Sequence, residues 1–185
     1  LLSSWSIQRC YKGRRGKVMT KGILIAGFGG QGALFVGKIL AYCGLIEGKE
    51  LSWLPSYGPE MRGGTANCSV WISDEPVGSP QVLEPDYLIT MNYPSYAKFI
   101  NKVSPDGMVF ADSSLVEEKS DRKDIKQFLI PAGDIVVEKQ LGNAINMVLL
   151  GKLLAETKLF SLETVQKAME KCLPPKKAKF IVSNM

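Results

Sequence analysis

Histidine is absent from all 185 residues, and that absence removes more chemistry than any other feature of the sequence. No Ser–His or Cys–His nucleophilic pair can be assembled, and no metal can be held through imidazole. Cysteine is sparse as well. Cys10, Cys43, Cys68 and Cys172 stand far apart with no C-x-x-C pair, so the spacings of a zinc ribbon, or of an iron–sulfur cluster held by this chain alone, are missing. No secretory signal is visible, and reduced, mostly buried thiols are the expectation. Long apolar runs are lacking too: none approaches the roughly 18 residues of a membrane span. The reading is therefore no metal site, no membrane and a cytoplasmic location.

Acidic residues are scarce in one place only. Arg9, Lys12, Arg14, Arg15 and Lys17 fall in the first 18 residues, where no Asp or Glu occurs, and they account for the whole net charge of +5. The rest of the chain is balanced. Its basicity thus belongs to a tail and not to a binding face, which argues against nucleic acid as a partner. The tail, residues 1–18, is expected to be disordered. It reads either as a mitochondrial presequence or as an extension ahead of a native start at Met19. Residues 19–185 are expected to form a single domain of ordinary globular composition.

Within that domain strands and helices alternate. "KGILIAG" is a short apolar run ending in Gly, as a buried parallel strand requires. Gln31 to Cys43 reads as a helix with small residues at Ala33, Gly37 and Ala41, and Gly44 as its stop. "ELSWLPS" is a second strand. "TANCSVWISD" alternates, with Ala66, Cys68, Val70 and Ile72 on one face, and is expected to be antiparallel or at an edge. "PDYLITMN" and "GMVFADSS" read as buried strands flanking a helix that starts at Pro94. "FLIPAGDIVVEKQLGN" gives a strand and a short helix. Asn143 to Thr157 is a helix that is either buried or packed on a partner. A last helix, capped by Ser161, carries Leu162, Val165, Met169 and Cys172 on one face. The pattern predicts an α/β fold, a three-layer α/β/α sandwich with a mixed, mainly parallel sheet and a Rossmann-like glycine loop after the first strand.

Gly27, Gly29 and Gly32 fit G-x-G-x-x-G between strand and helix. Small residues there permit a tight turn and let backbone N–H groups approach an anion. The companion acid at the end of the second strand is missing, because Glu50 stands at its start. Three readings stay open: a nicotinamide or flavin site, a tight turn for helix packing, or a phosphate site for another ligand. The segment "SYGPEMRGGTANCSV" is the second constellation. Arg62 offers a planar fork for a phosphate, a carboxylate or a partner's acid, and Gly63 and Gly64 leave room for close approach. It reads equally as a surface turn with a Glu60–Arg62 ion pair.

The strand–"GFGGQG"–helix start, the "YGPEMRGG" loop and "LGNAINMVLLG", in that order, resemble the gamma subunit of the 2-oxoacid:ferredoxin (or acceptor) oxidoreductases. The resemblance runs from residue 20 to about residue 182. It implies a complex that decarboxylates a 2-oxoacid oxidatively with coenzyme A. Thiamine diphosphate, Mg2+ and iron–sulfur clusters would lie on partner subunits, among them a thiamine-diphosphate-binding and a ferredoxin-like one. This chain would be accessory, carrying no catalytic residue and shaping the coenzyme A region. By the same resemblance Gly27, Gly29, Gly30, Gln31 and Gly32 are cofactor-binding candidates. Tyr57, Gly58, Pro59, Glu60, Met61, Arg62, Gly63 and Gly64 would form a loop facing a partner or the active site. The alternatives are a stand-alone NAD(P)-dependent oxidoreductase, or a coenzyme A or nucleotide carrier, each using Gly27–Gly32.

Overall fold

A computed structural model describes residues 18–57 and 65–173. Six strands form one sheet: β1 (Thr20–Phe28), β2 (Glu50–Tyr57), β3 (Thr65–Ser73), β4 (Tyr87–Thr90), β5 (Met108–Asp112) and β6 (Lys126–Ile130), in the order β2-β3-β1-β4-β5-β6. β4 pairs parallel with β1, β5 with β4, and β6 with β5. β3 runs antiparallel to both β1 and β2, so it alone opposes the common direction. The sheet is mixed and mainly parallel, as expected.

Position in the sheet explains the sequence patterns. β1 is central, and every residue from Ile23 to Gly27 is buried, which is why it reads as an unbroken apolar run. β3 is antiparallel, yet it is not an edge. The edge is β2, whose residues are exposed or half-buried and which carries Pro55 in mid-strand; a proline tolerates an edge because its missing N–H costs no ladder bond there.

Helices cover both faces. On one lie α1 (Ala33–Ile46), α3 (Ala132–Glu138), α4 (Ile145–Thr157) and α5 (Leu162–Cys172). They enclose a core of Ile23, Ile25, Val70, Ile72, Ile89 and Phe110 from the sheet with Val36, Leu40, Leu149, Leu153 and Ala168 from the helices. Each of the larger side chains, the Val, Leu, Ile and Phe residues, contributes about 1.5–3 kcal/mol when fully buried. On the other face α2 (Tyr93–Phe99), a following 3-10 turn (Ile100–Lys102) and the 113–125 connection cover Leu24, Ala26, Leu88 and Val109. That connection is clasped: the Arg122 guanidinium donates to the carbonyls of Ile100 (3.0 Å) and Val103 (2.7 Å). Tyr96 donates its hydroxyl proton to Gln127 at 2.6 Å while accepting the Ser120 N–H at 2.7 Å.

Four points differ from the sequence reading. α1 begins at Ala33 and runs to Ile46, because Gln31 is drawn into the preceding turn. Gly44 is not a stop; it is buried inside α1 beside Leu51 and Ile72, and the chain leaves the helix through Gly48 at φ +66°. Ala41 is only half-buried, and Gly37 and Gly44 are the small residues that let α1 lie on β2 and β3. Leu162 is exposed, while Val165 is buried as expected and Ala168, not named in the pattern, anchors α5 beside it. Other expectations match: Pro94 stands in the first turn of α2, Ser161 accepts the Thr164 N–H, and α4 is a core helix, though it starts at Ile145 and not at Asn143. α4 also meets the far edge of the sheet, where Phe128 stacks on Phe110 (5.2 Å between centroids) under the Lys152 ammonium.

Candidate functional site

The carboxyl ends of the parallel strands form one rim of the sheet, and the sequence motifs gather there. β1 ends at Phe28 and turns through Gly29 and Gly30, closed by the Gln31 N–H donating to the Phe28 carbonyl at 3.1 Å. Gly30 has φ +98° and Gly32 φ +83°, conformations open to glycine at little cost. Gly32 then caps α1, its carbonyl accepting the N–H groups of Phe35 and Val36. No acidic residue stands in the first turn of α1, so the positive end of the helix is not neutralised from within.

The candidate glycines serve different ends. Gly27 lies within β1, where a Cβ would sit 2.8 Å from the Gln31 carboxamide oxygen. Gly32 is blocked by Asn146, whose Nδ2 occupies the place of a Cβ. Gly30 is exposed with open space around it, so it is the tip that a ligand or another chain can approach. Gln31 faces inward. Its Oε1 accepts the Phe28 N–H (2.6 Å) and the Asn92 Nδ2–H (2.9 Å), and its Nε2 donates to the Met91 carbonyl (3.0 Å).

The second motif departs from the same rim. Thr65 pairs with Phe28, and Tyr57 with Ala66, so both ends of the 57–65 connection stand beside the glycine turn. Tyr57 is exposed. Gly58, Pro59, Glu60, Met61, Arg62, Gly63 and Gly64 lie outside the described residues. The third motif arrives from α4, whose first turn brings Asn146 against Gly32. Two residues escaped the sequence reading. Asn92 and Asn146 are buried amides that touch the glycine turn from opposite sides; a buried Asn just after a strand, and another in an otherwise apolar helix start, are the signals that point to them.

Further along the rim Asp112 is fully buried at the end of β5. Its Oδ1 accepts the N–H groups of Ser114 (3.1 Å), Ala132 (3.1 Å) and Gly133 (3.3 Å), which caps α3; Oδ2 has no partner among the described residues. The Cys68 thiol, buried under α1, donates to the Ala33 carbonyl at 3.5 Å, and burial pushes it up to about 12, as it does Cys43. Neither is poised as a nucleophile. Among the described residues no three His, Cys, Asp or Glu side chains gather to hold a metal ion, and no helix is long and apolar enough to cross a membrane.

One feature of the rim separates it from a dinucleotide site. The ribose-binding acid of such a site ends the parallel strand next to β1. Here the neighbour on that side is the antiparallel β3, so the rim beside Phe28 is the start of β3, at Thr65 and Ala66. Glu50 lies at the far end of β2.

A family model described as pyruvate ferredoxin/flavodoxin oxidoreductase matches residues 22–185. Subunit VorA of ketoisovalerate oxidoreductase from Methanothermobacter marburgensis is 43% identical over 133 residues, 72% of this chain and 28% of that protein. The chain therefore spans little more than a quarter of that relative. Subunit KorC of 2-oxoglutarate synthase from Methanocaldococcus jannaschii is 37% identical over 159 residues, 84% of this chain and 85% of that protein. Among solved structures, the 2-oxoglutarate:ferredoxin oxidoreductase of Magnetococcus marinus, with 2-oxoglutarate, coenzyme A and succinyl-CoA bound, superposes with a TM-score of 0.77. The match is 22% identical and covers 89% of this chain and 29% of that one, which shows the shared fold.

Proposed function

The chain belongs to the pyruvate ferredoxin/flavodoxin oxidoreductase family, and from that premise we propose that it is the gamma-type subunit of a 2-oxoacid:ferredoxin oxidoreductase complex. The complex decarboxylates a 2-oxoacid oxidatively with coenzyme A, giving the acyl-coenzyme A and CO2 and passing electrons to ferredoxin. This chain is the accessory part, a single α/β domain over residues 19–185 behind a basic extension, working in the cytoplasm. Thiamine diphosphate with its Mg2+, and the iron–sulfur clusters, belong to a thiamine-binding subunit and a ferredoxin-like subunit. The relatives named as subunits of ketoisovalerate oxidoreductase and 2-oxoglutarate synthase support the assignment to such a complex.

The observation that carries the proposal is the convergence of three motifs on one rim: the glycine turn Gly29–Gly32, the ends of the Tyr57–Thr65 connection, and Asn146. A glycine turn with an exposed Gly30 tip ahead of an acid-free helix start suits the phosphates of coenzyme A. An edge hairpin with an exposed Tyr57 suits a protein partner. The donor set fits the cofactor in the sense that the protein's own groups fill the lower side of the turn and leave its Gly30 side open. Tyr57, together with the Gly58–Gly64 loop, faces the partner subunits in this reading; the glycine turn faces coenzyme A.

Affinity purification of the chain from its native cells tests the assignment. Co-purification of thiamine-diphosphate-binding and cysteine-rich subunits, with 2-oxoacid- and coenzyme A-dependent reduction of a viologen dye by the eluate, is the expected result. A chain recovered alone, binding NADH but not coenzyme A, would overturn it in favour of a nicotinamide enzyme.

A further inference from the structure

The buried amide of Asn92 has two duties that neither Ser nor Asp could combine. Asn92 is 3% exposed; its Oδ1 accepts the Ser95 N–H at 2.9 Å and so caps α2. Its Nδ2 donates to Gln31 Oε1 at 2.9 Å. Ser or Asp would cap α2 as well as Asn does. Ser is too short to extend a donor to Gln31, and an ionised Asp has none to give. The choice of Asn at this cap therefore answers to Gln31, not to α2.

Gln31 in turn is held in one orientation. Turning its carboxamide over would set an NH2 against the Phe28 N–H and an oxygen against the Met91 carbonyl. Room for that carboxamide exists because Gly27 carries no Cβ. The turn is thus pinned from beneath by Gln31, while its Gly30 tip points to open space. A turn fixed before its ligand arrives avoids the ordering cost that binding would otherwise meet.

We propose that Asn92 is a positioning residue for coenzyme A, acting through Gln31 to hold the Gly29–Gly32 turn in its receptive form. This rests on the reading above that the turn meets a coenzyme A phosphate. Asn92 touches no ligand itself; its effect falls on coenzyme A and not on the 2-oxoacid or the chemical step.

The test uses the assembled complex carrying Asn92→Ser, a neutral change that keeps the α2 cap and removes the donor to Gln31. Amide hydrogen exchange over residues 22–36 and steady-state kinetics are measured on the same preparations. The expected result is faster exchange of the turn without coenzyme A and a KM for coenzyme A raised about fivefold, the worth of one hydrogen bond. The KM for the 2-oxoacid and kcat at saturating coenzyme A stay unchanged. Gln31→Met, which removes the Asn92 link together with the bonds to Phe28 and Met91, speeds exchange of the turn at least as much, and adding Asn92→Ser to it makes the exchange no faster. Wild-type exchange and wild-type coenzyme A KM in Asn92→Ser would overturn the positioning role. So would an equal loss in both substrates' kinetics, the mark of general damage. If coenzyme A fails to slow exchange of the turn in the wild-type complex, the coenzyme A reading itself falls, whatever Asn92→Ser does to the free turn.

Discussion

The same substitution, glycine to alanine in the middle of a helix, should have opposite signs at two positions of this chain. In α1, Gly37 faces the sheet, and a Cβ there would run into Cys68 Sγ and stand 3.0 Å from Trp53 Nε1. In α4, Gly151 faces outward with nothing within 4 Å of the Cβ position among the described residues. Alanine gains about 0.8–1 kcal/mol over glycine in a helix interior at either site. At Gly151 nothing opposes that gain, so Gly151→Ala stabilises by about 0.5–1 kcal/mol. At Gly37 the helix must lift or Cys68 must leave its place under the Ala33 carbonyl; overpacking of this kind costs about 1–3 kcal/mol. The net at Gly37 is a loss of up to about 2 kcal/mol, or up to roughly 8 °C in Tm for a chain of this size. Urea and thermal unfolding of the full chain by circular dichroism read both signs. The cause is isolated by adding Cys68→Ala, which removes the sulfur in the way: Gly37→Ala should cost about 1–2 kcal/mol less in that background. A Gly37→Ala chain as stable as Gly151→Ala, or a Gly37 loss that Cys68→Ala leaves unchanged, would refute the packing argument.

Other consequences are simpler to state. Gly32→Ala must leave the φ +83° conformation or displace Asn146; a loss of about 1–3 kcal/mol is expected by unfolding, with Asn146→Ala relieving the steric part. Tyr57→Ala, at an exposed edge position, should leave chain stability within about 0.5 kcal/mol while weakening co-purification of partner subunits; intact co-purification would move the contact elsewhere. Iodoacetamide at pH 8 should label Cys43 and Cys68 only after denaturation, since burial holds both thiols up near 12, and mass spectrometry of the native digest checks it. The Asp124 carboxyl is held below the ordinary range by Arg122, and that of Asp74 by Lys49 and the Met19 N–H. Stability from a depressed carboxyl is present above the ordinary carboxylate pKa of about 4 and is lost as pH falls through the lower folded value. Asp124→Asn should therefore narrow the gap to wild type in acid titrations below about pH 4, and an unchanged gap would show that the exposed pair contributes nothing.

Much of this molecule was legible in one dimension. Burial on both faces writes an apolar run, so β1, β4 and β5 were visible as buried strands; alternation marked β3 as antiparallel or at an edge, and only the first of these holds. Local chemistry marked the α5 cap at Ser161 and the proline entry to α2. The absence of histidine closed off whole classes of catalysis without any structure at all, and three short motifs in register pointed to the family.

Tertiary structure decided the rest, and the reason is that its determinants are contacts between residues far apart in the chain. Gly44 has the form of a helix stop, and only Leu51 and Ile72 beside it make it a packing glycine. Leu162 has the right spacing for a buried face, yet it is exposed; Val165, Met169 and Cys172 of that face meet the core, and Ala168 joins them. That β3 stands between β1 and β2, and so takes the place of a dinucleotide site's second strand, follows from strand pairing that no local pattern encodes. The partners of Asn92 and Asn146 are set the same way, since one reaches Gln31 across 61 residues and the other reaches Gly32 across 114. Local propensity and burial set the elements of this fold; its site was assembled by where those elements meet.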